Sequence, residues 1–346
     1  MKAHYKKHIL EFKMPSGTSR GILKTKETWF IILEDEGGHG FGECGMLRGL
    51  SIDDRPDYEE RLQWVCANIH LGMQELYAAL TEFPSIQIGV EMAFMSLQSD
   101  DPFQIYPSAF SKGEASIAIN GLIWMGDKAF MKQQISVKLK QEFRCIKMKI
   151  GAIDFDTELT LLKNIRQEFP ASEIEIRVDA NGAFSPQDAL EKLKRLSDFE
   201  LHSIEQPIAP KQWDEMAILC KESPLDIALD EELIGVFSIE DKTALLQHIN
   251  PQYIILKPSF IGGFTGSDAW IDCAEVQQIK WWITSALESN VGLNAISQYT
   301  FTKNSTLPQG LGTGSLYTNN IGSPLEITQG TLQYNPIKKW KFIYNL

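Results

Sequence analysis

No apolar run in the 346-residue sequence approaches the roughly 20 residues a membrane span requires. The N-terminus, Met1-Lys2-Ala3-His4-Tyr5-Lys6-Lys7, is basic, but Ile9-Leu10-Glu11-Phe12 behind it reads as a strand and not as the core of a secretory signal. A cytoplasmic location, away from membranes, is expected. Cysteine is scarce. Cys44, Cys66, Cys145, Cys220 and Cys273 are odd in number, far apart and form no CxxC pair, which argues for buried thiols in a reducing compartment rather than disulfides or zinc. Positive charge is also short, with 33 basic residues against 45 acidic ones and a formal net charge of −12. No broad basic face is therefore expected for nucleic acid, although a few lysines and a metal can still attract a small anionic carboxylate substrate. A dinucleotide loop is missing too: Gly38-His39-Gly40-Phe41-Gly42 lacks the strand-then-helix context and reads as a hairpin turn.

What is present is an ordinary globular composition, 43% hydrophobic and 23% charged, in a chain long enough for two domains or a barrel with additions. From about Ala115 short apolar runs alternate with amphipathic stretches. The expected strands are Ser116–Gly121, Arg144–Ile150, Ile174–Asp179, Leu201–Glu205, Asp226–Asp230, Tyr253–Lys257, Trp281–Ser285 and Leu307–Leu311, with seven helices between them. Ser185-Pro186-Gln187-Asp188 and Ser238-Ile239-Glu240-Asp241 carry N-cap signals. This α/β alternation predicts a (β/α)8-type barrel over residues 115–324. Residues 1–114 read differently, as an α+β unit with a hairpin first and helices after, and the strand-like tail 325–346 is expected to return to it.

Barrels place their chemistry at the C-terminal ends of the strands. Lys147 and Lys149 share one face of the second strand; Glu175, Arg177 and Asp179 share one face of the third; the next three end in Glu205, Asp230-Glu231-Glu232 and Lys257. Any one such strand, taken alone, fits a half-exposed antiparallel edge. Five in succession converge on one barrel mouth, where buried charge is costly unless paired or metal-bound. Asp179, Glu205 and Asp230 make an all-oxygen set suited to Mg2+, with Mn2+ as the alternative; a salt-bridge network with the lysines is the structural competitor. A metal-bound carboxylate acidifies its α-proton, and Lys149 is the candidate base, with Lys147 beside it expected to lower its pKa. Lys257, from across the barrel, suits a second acid/base or a cation over the intermediate.

Lys147-x-Lys149, Arg177-x-Asp179-x-Asn181-Gly182, Glu205-Gln206-Pro207, Asp230-Glu231 and Lys257-Pro258, in this order, resemble the enolase superfamily and its muconate-lactonizing-enzyme subgroup. Ser19-Arg20-Gly21, Gly42-Glu43, Ser285-Ala286-Leu287-Glu288-Ser289 and Gly310-Leu311-Gly312-Thr313-Gly314 are similar to the o-succinylbenzoate synthase family within it. The resemblance implies a capping domain over a barrel and a magnesium-dependent syn-dehydration of a succinyl-bearing cyclohexadiene carboxylate in menaquinone biosynthesis, through a metal-stabilised enediolate. It implies Asp179, Glu205 and Asp230 as ligands, Lys149 as base then acid, and Lys257 steadying the enediolate. Arg177 and Asn181 would support them, and Ser285, Leu287, Glu288 and Ser289 would line the succinyl end. From the residues themselves, Gly262-Gly263 either lets a loop approach the substrate or makes a plain turn, and Arg20 in the cap offers a cation to an anionic substrate. N-acylamino acid racemisation, or another isomerisation of this subgroup, is the rival chemistry. Ser285 where a histidine base would end the seventh strand, and Leu311-Gly312-Thr313 where dipeptide epimerases carry Asp-x-Asp, narrow the choice.

Overall fold

The computed structural model describes residues 1–18, 21–124, 127–151 and 153–341. Arg20 lies outside them. The chain opens with an antiparallel meander of β1 (Lys2–Thr18), β2 (Gly21–Asp35) and β3 (Gly38–Cys44). The turn joining β2 to β3 lies at Glu36-Gly37, just before the glycine run, where Asp35 Oδ1 accepts hydrogen bonds from Gly37 N and Gly38 N at 2.8 and 3.2 Å. The glycines of β3 have another purpose. A Cβ on Gly40 would stand 2.2 Å from the Ala93 carbonyl, and one on Gly42 1.8 Å from that of Gly89, so the strand lies at backbone distance from a helix. That helix is α3 (Pro84–Gln98), which follows α1 (Tyr58–Ala67) and α2 (Gly72–Ala78). Trp29, Ile31, Leu33, Leu62, Leu76 and Val90 seal the core between sheet and helices.

A short strand, β4 (Ser116–Ala118), comes next, and then a curled parallel sheet runs in the order β11-β10-β9-β8-β7-β6-β5. Its strands in chain order are β5 (Gly121–Ile123), β6 (Cys145–Lys149), β7 (Glu175–Asp179), β8 (Ser203–Glu205), β9 (Ile227–Leu229), β10 (Tyr253–Leu256) and β11 (Lys280–Ile283). Helices α4 (Lys128–Lys140), α5 (Phe155–Glu168), α6 (Pro186–Ser197), α7 (Trp213–Glu222) and α8 (Ile239–Ile249) separate the first six strands; α9 (Pro258–Ile261), α10 (Gly263–Val276) and α11 (Asn290–Thr302) come after β10 and β11. The predicted caps form: Ser185 Oγ accepts from Asp188 N at 3.2 Å and Ser238 Oγ from Asp241 N at 3.0 Å, contacts worth about 1 kcal/mol each. The expected eighth strand shrinks to parallel bridges, Gln309 to Ile119 and Gly310 to Thr284, so residues 309–310 join the two edges of the sheet. Proline at 308 and glycines at 310 and 312 limit a longer ladder there.

The tail forms β12 (Leu325–Thr328) and β13 (Thr331–Tyr334), which pair with β4 in a small antiparallel sheet and not with the N-terminal meander. Contact with residues before 115 comes instead through side chains: the Trp340 ring stacks on Phe103 at 4.2 Å, and Tyr334 meets Phe110 edge-on at 6.3 Å. No helix among the described residues is long and apolar enough to cross a membrane.

Candidate active site

Parallel register does much of the assembly. Lys149 is paired with Asp179 across β6 and β7, and Asp179 with Glu205 across β7 and β8, so the three stand in one row. Glu205 is paired with Ala228, which puts Asp230 one pleat further toward the mouth. Lys257 follows β10, four strands from β6 and so across the barrel. Below this row the interior is plugged. Arg177 is fully buried, its guanidinium lying 4.1 Å over the Trp282 ring and donating to Glu175 at 2.7 Å and to the Pro308 carbonyl at 2.9 Å. Trp281, on the alternate face of the strand, packs in the main hydrophobic core.

One oxygen from each of Asp179, Glu205 and Asp230 lies within 4.8 Å of the others, and all three residues are buried. Lys147 and Lys149 both reach Asp179 Oδ2 at 2.9 Å. Lys147 also contacts Glu205, and Lys257 contacts Asp230. Burial alone would lower the Lys147 ammonium, but Asp179, Glu205 and Asp230 outweigh it and raise it. Burial pushes the Asp179 carboxyl up, yet Lys147 and Lys149 together hold it well below the usual carboxylate range. Glu205 goes the other way. Burial, with Asp179 and Asp230 alongside, pushes it up to about 8 against the pull of Lys147. Thus Lys147, expected to act on Lys149 as a neighbouring charge, is itself tied to two carboxylates.

The donor set fits a divalent cation. It is all oxygen, and Glu205 Oε1 is buried with no hydrogen-bond partner among the described residues, an arrangement that costs free energy until something positive meets it. Around the three acids stands a second layer. Asn181 accepts from Lys149 Nζ at 2.6 Å and donates to Glu231 at 2.9 Å. Glu232 accepts from Lys211 N at 2.7 Å, Trp213 Nε1 at 2.9 Å and Gln206 Nε2 at 3.0 Å, binding the ends of β8 and β9 together. Neither Glu231 nor Glu232 belongs to the three-oxygen cluster. The doublet of acids after Asp230 signals this layer, but their partners come from loops whose approach the sequence does not announce.

The site opens into a cavity of about 410 Å³. Lys147, Lys149, Asn181 and Lys257 lie on its wall, as do Ser285 and Leu287. Met14 and Leu23 of the β1–β2 hairpin and Leu47 and Leu50 of the following loop reach it from the N-terminal unit, residues that sequence reasoning had not singled out. Arg177, Gly262, Glu288 and Ser289 are not on this wall. Gly262 instead sits against α2, its carbonyl accepting from Tyr77 Oη at 2.6 Å. Glu288 and Ser289 are buried in the seam between the N-terminal sheet and the barrel.

Residues 131–336 match the model of the family described as enolase C-terminal domain-like. An o-succinylbenzoate synthase of Desulfotalea psychrophila is 46% identical over 363 residues, which cover 96% of this chain and 98% of that one. The chain belongs to the o-succinylbenzoate synthase family of the enolase superfamily. A crystal structure of MenC from Desulfotalea psychrophila superimposes on this family member with a TM-score of 0.86 at 43% identity, covering 96% of this chain and 99% of that one. More distant is a hydrophobic dipeptide epimerase of a Flavobacteria bacterium, 25% identical, with 87% of this chain and 86% of that one covered. The fold alone extends to the muconate lactonizing enzyme of Pseudomonas fluorescens, at a TM-score of 0.85 and 19% identity over 99% of this chain and 96% of that one.

Proposed function

We propose that this protein is an o-succinylbenzoate synthase, removing water from 2-succinyl-6-hydroxy-2,4-cyclohexadiene-1-carboxylate in menaquinone biosynthesis. The observation that carries the reading is the placement of Lys149 and Lys257, both on the wall of one cavity, on opposite sides of a buried three-carboxylate cluster, in a chain of this family. Asp179, Glu205 and Asp230 would hold the metal, Mg2+ by the hardness of its oxygen donors, with Mn2+ the alternative. When bound, that cation supplies a Lewis acid for the substrate carboxylate, making the adjacent C–H acidic and the resulting enediolate cheaper to form.

The chain's own residues do the rest. Lys149, in its neutral form, takes the α-proton and returns it to the departing hydroxide on the same face. Asn181, fixed by Glu231, aims the Lys149 amine. Lys257 stands over the other face as a cation that balances the developing negative charge. Leu47, Leu50, Leu122 and Leu287 line the cavity around the ring and exclude water from it. Residues 1–114 serve as the cap, with β12 and β13 bracing the barrel's edge. Five free cysteines fit a reducing, cytoplasmic setting.

Product formation measured by absorbance should appear in Mg2+-loaded protein and vanish in metal-stripped protein and in Lys149→Ala. Turnover without metal would refute the mechanism. The opposed lysines also favour a second reading, racemisation of N-acylamino acids, in which both act as bases. Lys257→Arg discriminates the two, because it spares a reaction that needs only charge at that position and stops one that needs a base.

A further inference from the structure

The loop that follows β11 enters the cavity wall with Leu287 at φ +64°, a left-handed conformation unfavourable for leucine. Such strain persists only where its surroundings fix it. Here they do. Glu288 turns back to accept the Ala286 amide at 2.7 Å and the Ser259 hydroxyl at 2.5 Å. Glu43, from β3, accepts the Ser289 amide at 2.7 Å, the Gly292 amide at 2.8 Å and the Thr28 hydroxyl at 2.8 Å, and so also caps the start of α11. Tyr317 Oη donates to the Leu287 carbonyl at 2.7 Å. Lys26 of β2 is buried within the influence of both carboxylates, its Nζ without a hydrogen-bond partner among the described residues. A buried cluster of this kind adds little net stability, so what it contributes is geometry.

We propose that Glu288, with Glu43 and Lys26, is a positioning cluster that holds Leu287 in its left-handed conformation and thereby sets the substrate-facing wall of the cavity. Leu287 packs on the other side with Leu10, Phe12, Leu23 and Leu316, so the same clamp fixes how the β1–β2 hairpin meets the barrel. Glu288 then governs substrate fit without touching the reacting atoms. The role rests on the dehydratase reading for its kinetic consequence but not for its structural one, and the two are tested separately.

The test is Glu288→Gln, with Leu287→Gly and the double variant, on the full chain. Gln keeps the shape but loses one of the two acceptors. Hydrogen exchange read by mass spectrometry should quicken about tenfold in the peptide spanning 285–289 and stay unchanged in the peptides carrying Asp179 and Glu205. KM should rise about tenfold with kcat within about twofold, the pattern for lost ground-state fit. In the Leu287→Gly background, where the left-handed backbone is no longer strained, adding Glu288→Gln should change KM less than about twofold. Additive effects in the cycle, or unchanged exchange at 285–289, would overturn the proposal. Should Glu288→Gln not fold, Lys26→Met provides the same exchange measurement, with slowed or unaltered exchange the contrary result. A wild type that exchanges as described but forms no o-succinylbenzoate would count against the reading of function and leave the clamp standing.

Discussion

Two buried clusters of charge in this molecule are built on opposite plans. In the barrel mouth, three lysines meet three carboxylates that come from successive strands, and one buried oxygen, Glu205 Oε1, has no hydrogen-bond partner among the described residues. In the seam beneath the N-terminal sheet, every carboxylate oxygen of Glu43 and Glu288 accepts a hydrogen bond from a backbone amide or a hydroxyl. A satisfied carboxylate fixes chain geometry; a buried oxygen left unsatisfied favours a positive partner. Glu91 belongs to the second kind. It reaches from α3 to cap α10, accepting Phe264 N at 2.7 Å and Thr265 N at 3.0 Å.

The comparison breaks if the mouth proves structural or the seam chemical. Lys149→Ala should cost at least about a thousandfold in turnover, within the range for loss of a general acid–base, while the melting temperature stays within a few degrees. A collapse in stability with it would place Lys149 among the structural groups. Glu91 tests the seam. Burial pushes its carboxyl up to about 7 despite hydrogen bonds from Thr265 and Phe264. Folding therefore favours the protonated acid, and stability should fall as pH rises from about 4.5 to about 7, by about 3 kcal/mol. Denaturant titrations of Glu91→Gln across that window should lack this slope, whereas an equal slope in the variant would assign it elsewhere.

Glu205→Gln should weaken Mg2+ binding at least about a hundredfold by calorimetry, since losing even an outer-shell partner costs ten- to a hundredfold. Glu232→Ser, which frees Gln206, Lys211 and Trp213, should weaken it about tenfold on the same reasoning. Unaltered affinity in Glu232→Ser would mean that β8 and β9 hold Glu205 and Asp230 in place without that tie.

The mouth was legible in the sequence because strands have a period of two and parallel register repeats it. Once Lys149, Asp179 and Glu205 are strand-final, their adjacency follows. The starts of α6 and α8 were equally legible, from Ser185 and Ser238 with an acid three residues on. The seam was not. Glu43 and Ser289 are 246 residues apart, and nothing local in either sequence says that a carboxylate on one sheet will cap a helix of another unit. For the same reason Glu288 reads by resemblance as a residue of the substrate pocket, when its carboxylate turns inward to its own loop. Arg177 misleads in a related way: its alternation with Asp179 correctly places it inside the barrel, but depth along the strand decides between site and plug, and two residues toward the bottom put it against Trp282.

The roles of the two lysines separate in one assay, run side by side in deuterated water: o-succinylbenzoate formation from the cyclohexadiene substrate, and α-proton exchange of N-succinylamino acids. The unequal lysines predict rapid dehydration that survives in Lys257→Arg and is lost in Lys149→Ala. Exchange without dehydration, abolished equally by either substitution, would contradict it and make both lysines bases of a racemase.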